Sequence, residues 1–391
     1  MYFSFHDILP VVWVCLGVAL AAMIFLLTFY RMRTRVRVTA PQPEVPDEAL
    51  PTVSVVVYAR DNAADLRKML PDILTQGYPA DKFEVVVVND GCAEEITDVV
   101  NYFSNEFKNL YITYVPEEAR NLSRKKLSIS LGIKAARHDV VLLTTARCRV
   151  KSPLWVRRMA FPFTAEGGHR QVVLGWARIH GLGRSWNRFD EVARAVTWLQ
   201  PAMHGHPYRG TGFNLAYRRD LFFKAKGFSR SLNLHHGDDD IFVNQITNRS
   251  NTAVVLSDDA LVNVRFQHPR RAYSELRLRH RFTERRLPLW PRLTMGAGTC
   301  AMWVWLAAVT VGCVFSLPNW WPACLFAATI PALWIPLTVN WCRSGRALEV
   351  RLAPALLWWQ MLWRWYPNLK SRYRSGRPVR RNYTWRGAPV K

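Results

Sequence analysis

The chain reads as an α/β domain with a mostly parallel sheet, carried between one N-terminal membrane span and two C-terminal ones. Two observations predict this. Between Val53 and Thr144, continuous apolar strands alternate with helical apolar spacing, the pattern of a sheet covered on both faces. Three uncharged apolar runs flank the domain: Ile8 to Tyr30, Leu293 to Leu317 and Trp321 to Trp341. Each is long enough to cross a hydrocarbon core about 30 Å thick.

The first run ends at Tyr30, has no small-residue cleavage site and is followed at once by Arg31, Arg33, Arg35 and Arg37. Residues 1–30 therefore read as a retained anchor and not as a cleaved leader. Residues 31–51 read as a basic stop and a linker, because Ala40 to Pro51 is rich in Pro and acids and has no apolar period. In residues 52–150, strands are expected at Val53–Val57, Glu84–Val88, Leu110–Val115 and Val140–Thr144. Helices are expected between them, on Leu66, Met69, Leu70, Ile73 and Leu74, on Ile96, Val99, Val100 and Phe103, and over Leu127–Ala136.

Residues 151–292 are less regular. A strand at Gln171–Ile179 precedes a helix at Trp186–Leu199, a Gly-bearing loop at Tyr208–Gly212, a helix around Arg219–Lys226 and the run Gly237-Asp238-Asp239-Asp240. Residues 293–341 hold two spans joined at Pro318-Asn319-Trp320. Residues 342–391 form a basic tail, in which Leu352 to Trp365 mixes Leu, Trp and Met. Arg351 and Arg364 bracket only about a dozen residues there, which predicts a membrane-surface amphipathic helix and not a fourth span.

The formal net charge is +24, and the arginines concentrate beside the apolar runs. The Ser316 to Pro322 turn carries no charge, so the positive-inside rule puts the N-terminus outside and the middle domain and tail in the cytoplasm; no organelle-targeting signal appears, so a bacterial inner membrane is expected. Nucleic-acid binding, the other reading of a basic chain, lacks any recognition motif. The seven cysteines are scattered without C-x-x-C spacing, which excludes a zinc ribbon or a disulfide framework.

Chemistry is expected at the carboxyl ends of the strands, where such sheets bind ligands. The first strand runs into Tyr58-Ala59-Arg60-Asp61-Asn62, the second into Asn89-Asp90-Gly91, and the fourth into Thr144-Thr145-Ala146-Arg147-Cys148. Taken alone, Asp90 before a glycine is an ordinary turn residue as readily as a ligand. As a set, PTVSVVVYARDNAADL, EVVVVNDGCAEEIT, RKKLSISLGIKAARHDVVLLTTARC, GTGFNLAYRRDLFFKAKGF and GDDDIFVNQ resemble an inverting family 2 glycosyltransferase over about Pro51 to His280.

That resemblance implies a GT-A fold, a nucleoside diphosphate sugar donor and single displacement with inversion. Flanking membrane spans imply a lipid or lipid-linked acceptor. By the same resemblance, Ala59, Arg60 and Asp61 line the nucleoside, Asp90 contacts the nucleobase, and Lys125 and Lys126 form a basic pair near the donor. Asp239 is the catalytic base beside Asp238, and Gly210, Thr211, Gly212 and Asn214 line the acceptor site. A bare physical reading of the Asp run is an N-terminal helix cap, and the two roles are compatible. Mutual repulsion should also raise at least one of the three acids.

The departures matter as much. Thr145 and Arg147 stand where the family places an Asp-x-Asp metal site, and Asn62 stands where an acid is expected. Mg2+ or Mn2+ seeks carboxylate oxygens, so a bound metal is disfavoured. In one explanation Arg147, with Arg149 and Lys126, replaces the metal's charge on the diphosphate. In another the domain has lost donor binding and serves as a scaffold or regulatory subunit. A metal held by His235, His236 and the Asp run is a third. Polymer-making relatives carry Gln-x-x-Arg-Trp; the stretch Leu276 to His280 keeps only the arginine, Arg279, which reads as an acceptor contact or a membrane-facing rim.

Overall fold

The structure is a computed structural model that describes residues 5–91, 94–116, 123–231, 234, 236–316 and 320–363. It forms two units. Among the described residues, one comprises 38–183 and 201–288; the other comprises 5–37, 184–200 and 289–363.

In chain order the helices are α1 (Phe5–Arg33), α2 (Ala63–Leu74), α3 (Glu94–Ser104), α4 (Arg124–Ala135), α5 (Trp155–Ala160) and α6 (Ser185–Met203). They continue with α7 (Arg219–Lys224), α8 (Asp240–Ile246), α9 (Pro269–Thr283), α10 (Trp290–Phe315), α11 (Trp320–Ala347) and α12 (Pro354–Leu362). The strands are β1 (Val53–Ala59), β2 (Phe83–Asn89), β3 (Leu110–Tyr114), β4 (Val140–Thr145) and β5 (Cys148–Val150). After them come β6 (Val172–Gly175), β7 (Ala177–Ile179), β8 (Leu215–Arg218), β9 (Thr252–Val255) and β10 (Val262–Val264).

Seven strands make one sheet in the order β3-β2-β1-β4-β8-β6-β9. Its first half is parallel, with every residue of β2 and β4 buried, which is why those strands read as unbroken apolar runs. β8 then enters antiparallel to both β4 and β6. The register sets Tyr58 opposite Thr145 and Ala59 opposite Asn89, so the three sequence-marked strand ends lie along one sheet edge. Leu143 pairs with Leu215, which brings the residues before β8 to the end of β4. A second sheet, β5-β10-β7, follows directly from that end.

Two expectations are corrected here. Residues 171–179 are not one strand: β6 belongs to the large sheet and β7 to the small one, with a break at Trp176. The Asn214 amide explains the break. Its Nδ2 donates to the Trp176 carbonyl at 3.0 Å and the Ala260 carbonyl at 2.8 Å, while its Oδ1 accepts from Trp155 Nε1 at 3.1 Å.

The stretch from residue 40 to 51 is likewise no loose spacer but a strap tied onto the domain. Thr39 bonds Leu256 through its N–H and its hydroxyl. Arg158 donates to the Gln42 carbonyl, Arg157 to the Val45 carbonyl and Asp47, and Lys82 to the carbonyls of Asp47, Glu48 and Leu50. Prolines and acids suggested a spacer because the donors that satisfy these carbonyls lie far away in sequence.

In the other unit α1 packs along α10 and α11. These three are long and apolar enough to cross a membrane, with mean hydropathies of 2.6, 1.8 and 1.7. Gly298 admits the Phe29 ring so closely that a Cβ there would come within 2.5 Å of it. Asn340 Nδ2 donates to the Tyr30 carbonyl at 2.9 Å and Thr34 Oγ1 at 2.6 Å, and the Ser344 hydroxyl donates to the Thr34 carbonyl at 2.7 Å. Such bonds, with small residues at the contacts, hold helices together where lipid removes the hydrophobic drive. Most of α6, expected within the domain's second half, belongs to this unit: Phe189 meets Trp341 edge to face with centroids 5.2 Å apart.

The tail helix is α12, too short to span, with Leu356, Trp358 and Trp359 exposed and Leu357 and Met361 buried. Residues 364–391, including Arg364 and Trp365, lie outside the described residues, as do Cys92 and His235.

Candidate functional site

At the end of β2, Asp90 is fully buried. Its Oδ2 accepts from the Tyr58 hydroxyl at 2.7 Å and its Oδ1 from Arg124 Nε at 2.7 Å, with Arg60 at 4.0 Å. Burial, then the Asp90 charge, raises the Tyr58 phenol well above its ordinary pKa. Asp90's N–H donates to the Ala59 carbonyl at 2.9 Å, fixing the two strand ends together. Asp61 is exposed and adopts a φ of +49, while Asn62 Oδ1 accepts from the Arg60 N–H. A left-handed non-glycine residue of this kind marks a loop held in shape by its surroundings. Tyr58 and Arg124 were not legible as site residues, since one sits inside a strand pattern and the other in a basic run.

Three consecutive side chains at the start of α4 go three ways. Arg124 holds Asp90, Lys125 forms an ion pair with Asp238, and Lys126 turns inward. Lys126 Nζ donates to the carbonyls of Ser231, Leu234 and His236, the latter two at 2.8 and 3.0 Å. Burial pulls its pKa down to about 8, with Asp238 opposing. Lys126, expected beside the donor, therefore spends its ammonium on the backbone upstream of the Asp run.

The Asp run divides its labour. Asp240 starts α8 and is buried, held by Arg209 at 3.2 Å and by the Thr283 hydroxyl of α9. Burial pushes its pKa up to about 6, against the pull of Arg209. Asp238 is buried too, yet the ion pair with Lys125 outweighs the desolvation and lowers its pKa, and Arg279 of α9 is near enough to add to that. Asp239 caps α8. Its Oδ1 accepts from the Asp240 N–H at 3.0 Å and its Oδ2 from the Gly212 N–H at 3.2 Å. Its pKa is raised, first by burial and then by the Asp238 charge. The turn before it needs Gly237, whose φ is +102 and whose Cβ would lie 2.6 Å from the Ile241 side chain.

Gly210, Thr211 and Gly212 form the loop before β8, next to the end of β4. Gly210 is buried between Leu174 and Val243, and a small cavity is lined by Tyr58, Thr144, Thr145, Lys125 and Gly212. Asn214, expected to meet an acceptor, is instead fully buried with its amide used inside the core, as described above. Substituting Asn214 by Ala should leave the Trp155 indole N–H and the Ala260 carbonyl without their Asn214 partner, while the Trp176 carbonyl keeps the Val262 N–H, and should cost about 2 kcal/mol or more. A thermal-melting comparison in detergent should therefore show a clearly lower midpoint for that variant.

At the end of β4, Thr145 Oγ1 lies 3.5 Å from Cys148 Sγ. Arg147 is 42% exposed; its Nε is 3.8 Å from Asp65, and its guanidinium stands 5.8 Å from the Phe266 ring centroid. Arg149 is only 13% exposed, 3.7 Å from Asp65, and donates to the carbonyls of Ala146 and Cys148, so it braces the loop. The exposed Arg265 joins them, its N–H donating to the Arg147 carbonyl at 2.9 Å. Phe266 also meets Phe213 of the glycine loop, with centroids 6.4 Å apart. Arg265 and Phe266 escaped sequence reading because β10 is too short to show a period. Among the described residues, no three His, Cys, Asp or Glu side chains are grouped to hold a metal ion.

A profile of the Glycosyl transferase family 2 matches residues 53–236. The probable glycosyltransferase YdaM of Bacillus subtilis is 30% identical over 99 residues, 25% of this chain and 23% of its own length. The glycosyltransferase AglE of Haloferax volcanii is 30% identical over 80 residues, 20% of this chain and 26% of its own. The matches thus span about a quarter of each of these relatives. Among solved structures, the mannosyltransferase PcManGT from Pyrobaculum calidifontis, in complex with GDP-Man and Mn2+, superposes with a TM-score of 0.52 at 18% identity. That match covers 88% of this chain and 99% of the other.

The domain therefore has a GT-A-like fold, flanked by one N-terminal and two C-terminal candidate membrane spans. Over residues 53–236 the chain is similar to the family 2 glycosyltransferases.

Proposed function

We propose that the chain is an inverting glycosyltransferase that moves one sugar from a nucleoside diphosphate sugar to a lipid or lipid-linked acceptor. The reaction takes place at the cytoplasmic face of a bacterial inner membrane. The observation that carries this reading is the convergence of Asp239, with its raised pKa, and the Gly212 loop on the end of β4. An acceptor hydroxyl gives its proton to the Asp239 carboxylate as its oxygen attacks the anomeric carbon. Attack from the face opposite the diphosphate inverts that centre. The three apolar spans and the exposed tryptophans of α12 support an acceptor that resides in the membrane.

The residues at the end of β4 do not fit a divalent cation. Thr145 offers only a neutral oxygen, engaged with Cys148, and Arg147 brings a positive charge. In this reading Arg147 meets the charge that builds on the leaving diphosphate, with Arg265 beside it. Asp90 and the Ala59 to Asp61 loop take the nucleoside.

Protein in lipid nanodiscs, given a panel of nucleoside diphosphate sugars and an inner-membrane lipid extract, should release the nucleoside diphosphate and label a lipid. Release from no member of the panel would count against transferase activity. A second reading, a scaffold without transfer, draws on Asp90, whose two oxygens are both engaged by protein groups. It would be favoured if neither UDP nor GDP bound.

The raised pKa of Asp239 sets a pH dependence. A base works only when deprotonated, so kcat/KM should rise with pH through a limb lying above the range of an exposed carboxylate, about 4. In Asp238→Asn the neighbouring negative charge is gone while Lys125 remains. The limb should then move to lower pH, which a pH–rate profile reads directly.

A further inference from the structure

Lysine is among the side chains least often fully buried, because desolvating its ammonium is costly unless every N–H is satisfied. Lys126 is 2% exposed, and its three donors meet three convergent backbone carbonyls, a complete match for an ammonium. Methionine, of similar length, would fill the space with no such cost, so packing alone does not account for a charge here. The carbonyls belong to Ser231, Leu234 and His236, and His236 is followed by the positive-φ turn at Gly237, then Asp238 and Asp239. Among the described residues within that segment, the Asp238 side chain is tied to the same helix turn by Lys125. Two adjacent lysines thus grip one segment, one by its backbone and one by its carboxylate.

We propose that Lys126 is a positioning residue for transfer: it fixes the backbone upstream of the Asp run so that Asp239 stays against the Gly212 N–H, without touching the donor. The inference rests on the reading of Asp239 as the base. Asp238, Asp239, Asp240 and Arg286 are the charged groups that act on Lys126. A donor contact, the role its sequence neighbourhood suggests, makes the opposite prediction about nucleotide affinity.

The test uses the full chain in nanodiscs as wild type, Lys126→Met, Lys126→Gln and Asp239→Asn. Each is measured for UDP and GDP affinity, for turnover with the donor that supports release, and for hydrogen exchange over residues 236–246. Lys126→Met should keep nucleotide affinity within about two-fold and KM for the donor unchanged. Its kcat should fall about 100-fold, the loss expected of a reacting group displaced by about an ångström. Exchange over residues 236–246 should quicken. Lys126→Gln keeps two donors without the charge and should fall between; it also serves if Lys126→Met fails to fold. Nucleotide affinity falling in step with kcat, or exchange and kcat both unchanged, would overturn the proposal. If Asp239→Asn retains turnover, the base assignment fails instead, and the exchange result still reports whether Lys126 holds the segment.

Discussion

Asp239→Asn is expected to lower kcat by about 10²- to 10⁴-fold, the range that a positioned general base contributes, while UDP or GDP affinity stays near the parental value. Asparagine keeps one oxygen, which can still accept from the Asp240 N–H, while its NH2 takes the place of the oxygen that now accepts from the Gly212 N–H. The cap on α8 should survive, and the melting midpoint should fall modestly, since a neutral acceptor replaces a charged one at a helix start and the Gly212 N–H loses its oxygen, together about 1–3 kcal/mol. With nucleotide affinity retained, a kinetic loss of that size falls on proton transfer and not on donor binding. Asp240→Asn offers a contrast, because Asp240 faces Arg209 and Thr283. Its removal should reduce stability by leaving a buried guanidinium without its counter-charge. A variant at Asp239 that turned over at the parental rate would show that the proton goes elsewhere.

Arg147→Ala is expected to lower kcat/KM by about 10²- to 10³-fold, the effect of removing one preorganised group that meets developing charge. The fold should be little affected. Arg147 is 42% exposed and its contact with Asp65 is 3.8 Å, a pairing worth about 0–1 kcal/mol at most in such surroundings. Arg147→Lys should recover only part of the activity, because an ammonium cannot bridge two phosphate oxygens as a planar guanidinium does. Steady-state kinetics on the three proteins, with melting curves alongside, decide the matter. An Arg147→Ala enzyme with normal kcat/KM would leave the diphosphate without its proposed partner.

The parallel half of the sheet was legible because its strands are buried on both faces and therefore unbroken in apolar character, as in Val85 to Val88. The second half was not. β9 and β10 are only Thr252–Val255 and Val262–Val264, too short for a period to emerge, and β6 and β7 share one apolar run split by the Asn214 amide. At the site, the Asp run could be marked from its composition, but not its division of labour. Which acid is raised and which lowered depends on Lys125, Arg209 and Thr283, partners brought in from other elements. Lys125 and Lys126 are alike in sequence, and only their angular separation around α4 sends one to a carboxylate and the other into the backbone. The same limit hid Tyr58 and Arg124, whose meaning appears only where β1, β2 and α4 converge on Asp90.

In the proposed mechanism a guanidinium, and not a cation held by carboxylates, meets the donor's diphosphate at the end of β4. Calorimetric titration of the purified chain with UDP and GDP, in chelator and again in excess Mn2+, tests it most directly. The dissociation constant of the bound nucleotide should be the same in both conditions, and binding should be lost in Arg147→Ala. Binding that appears only with the divalent ion, and persists in Arg147→Ala, would contradict it.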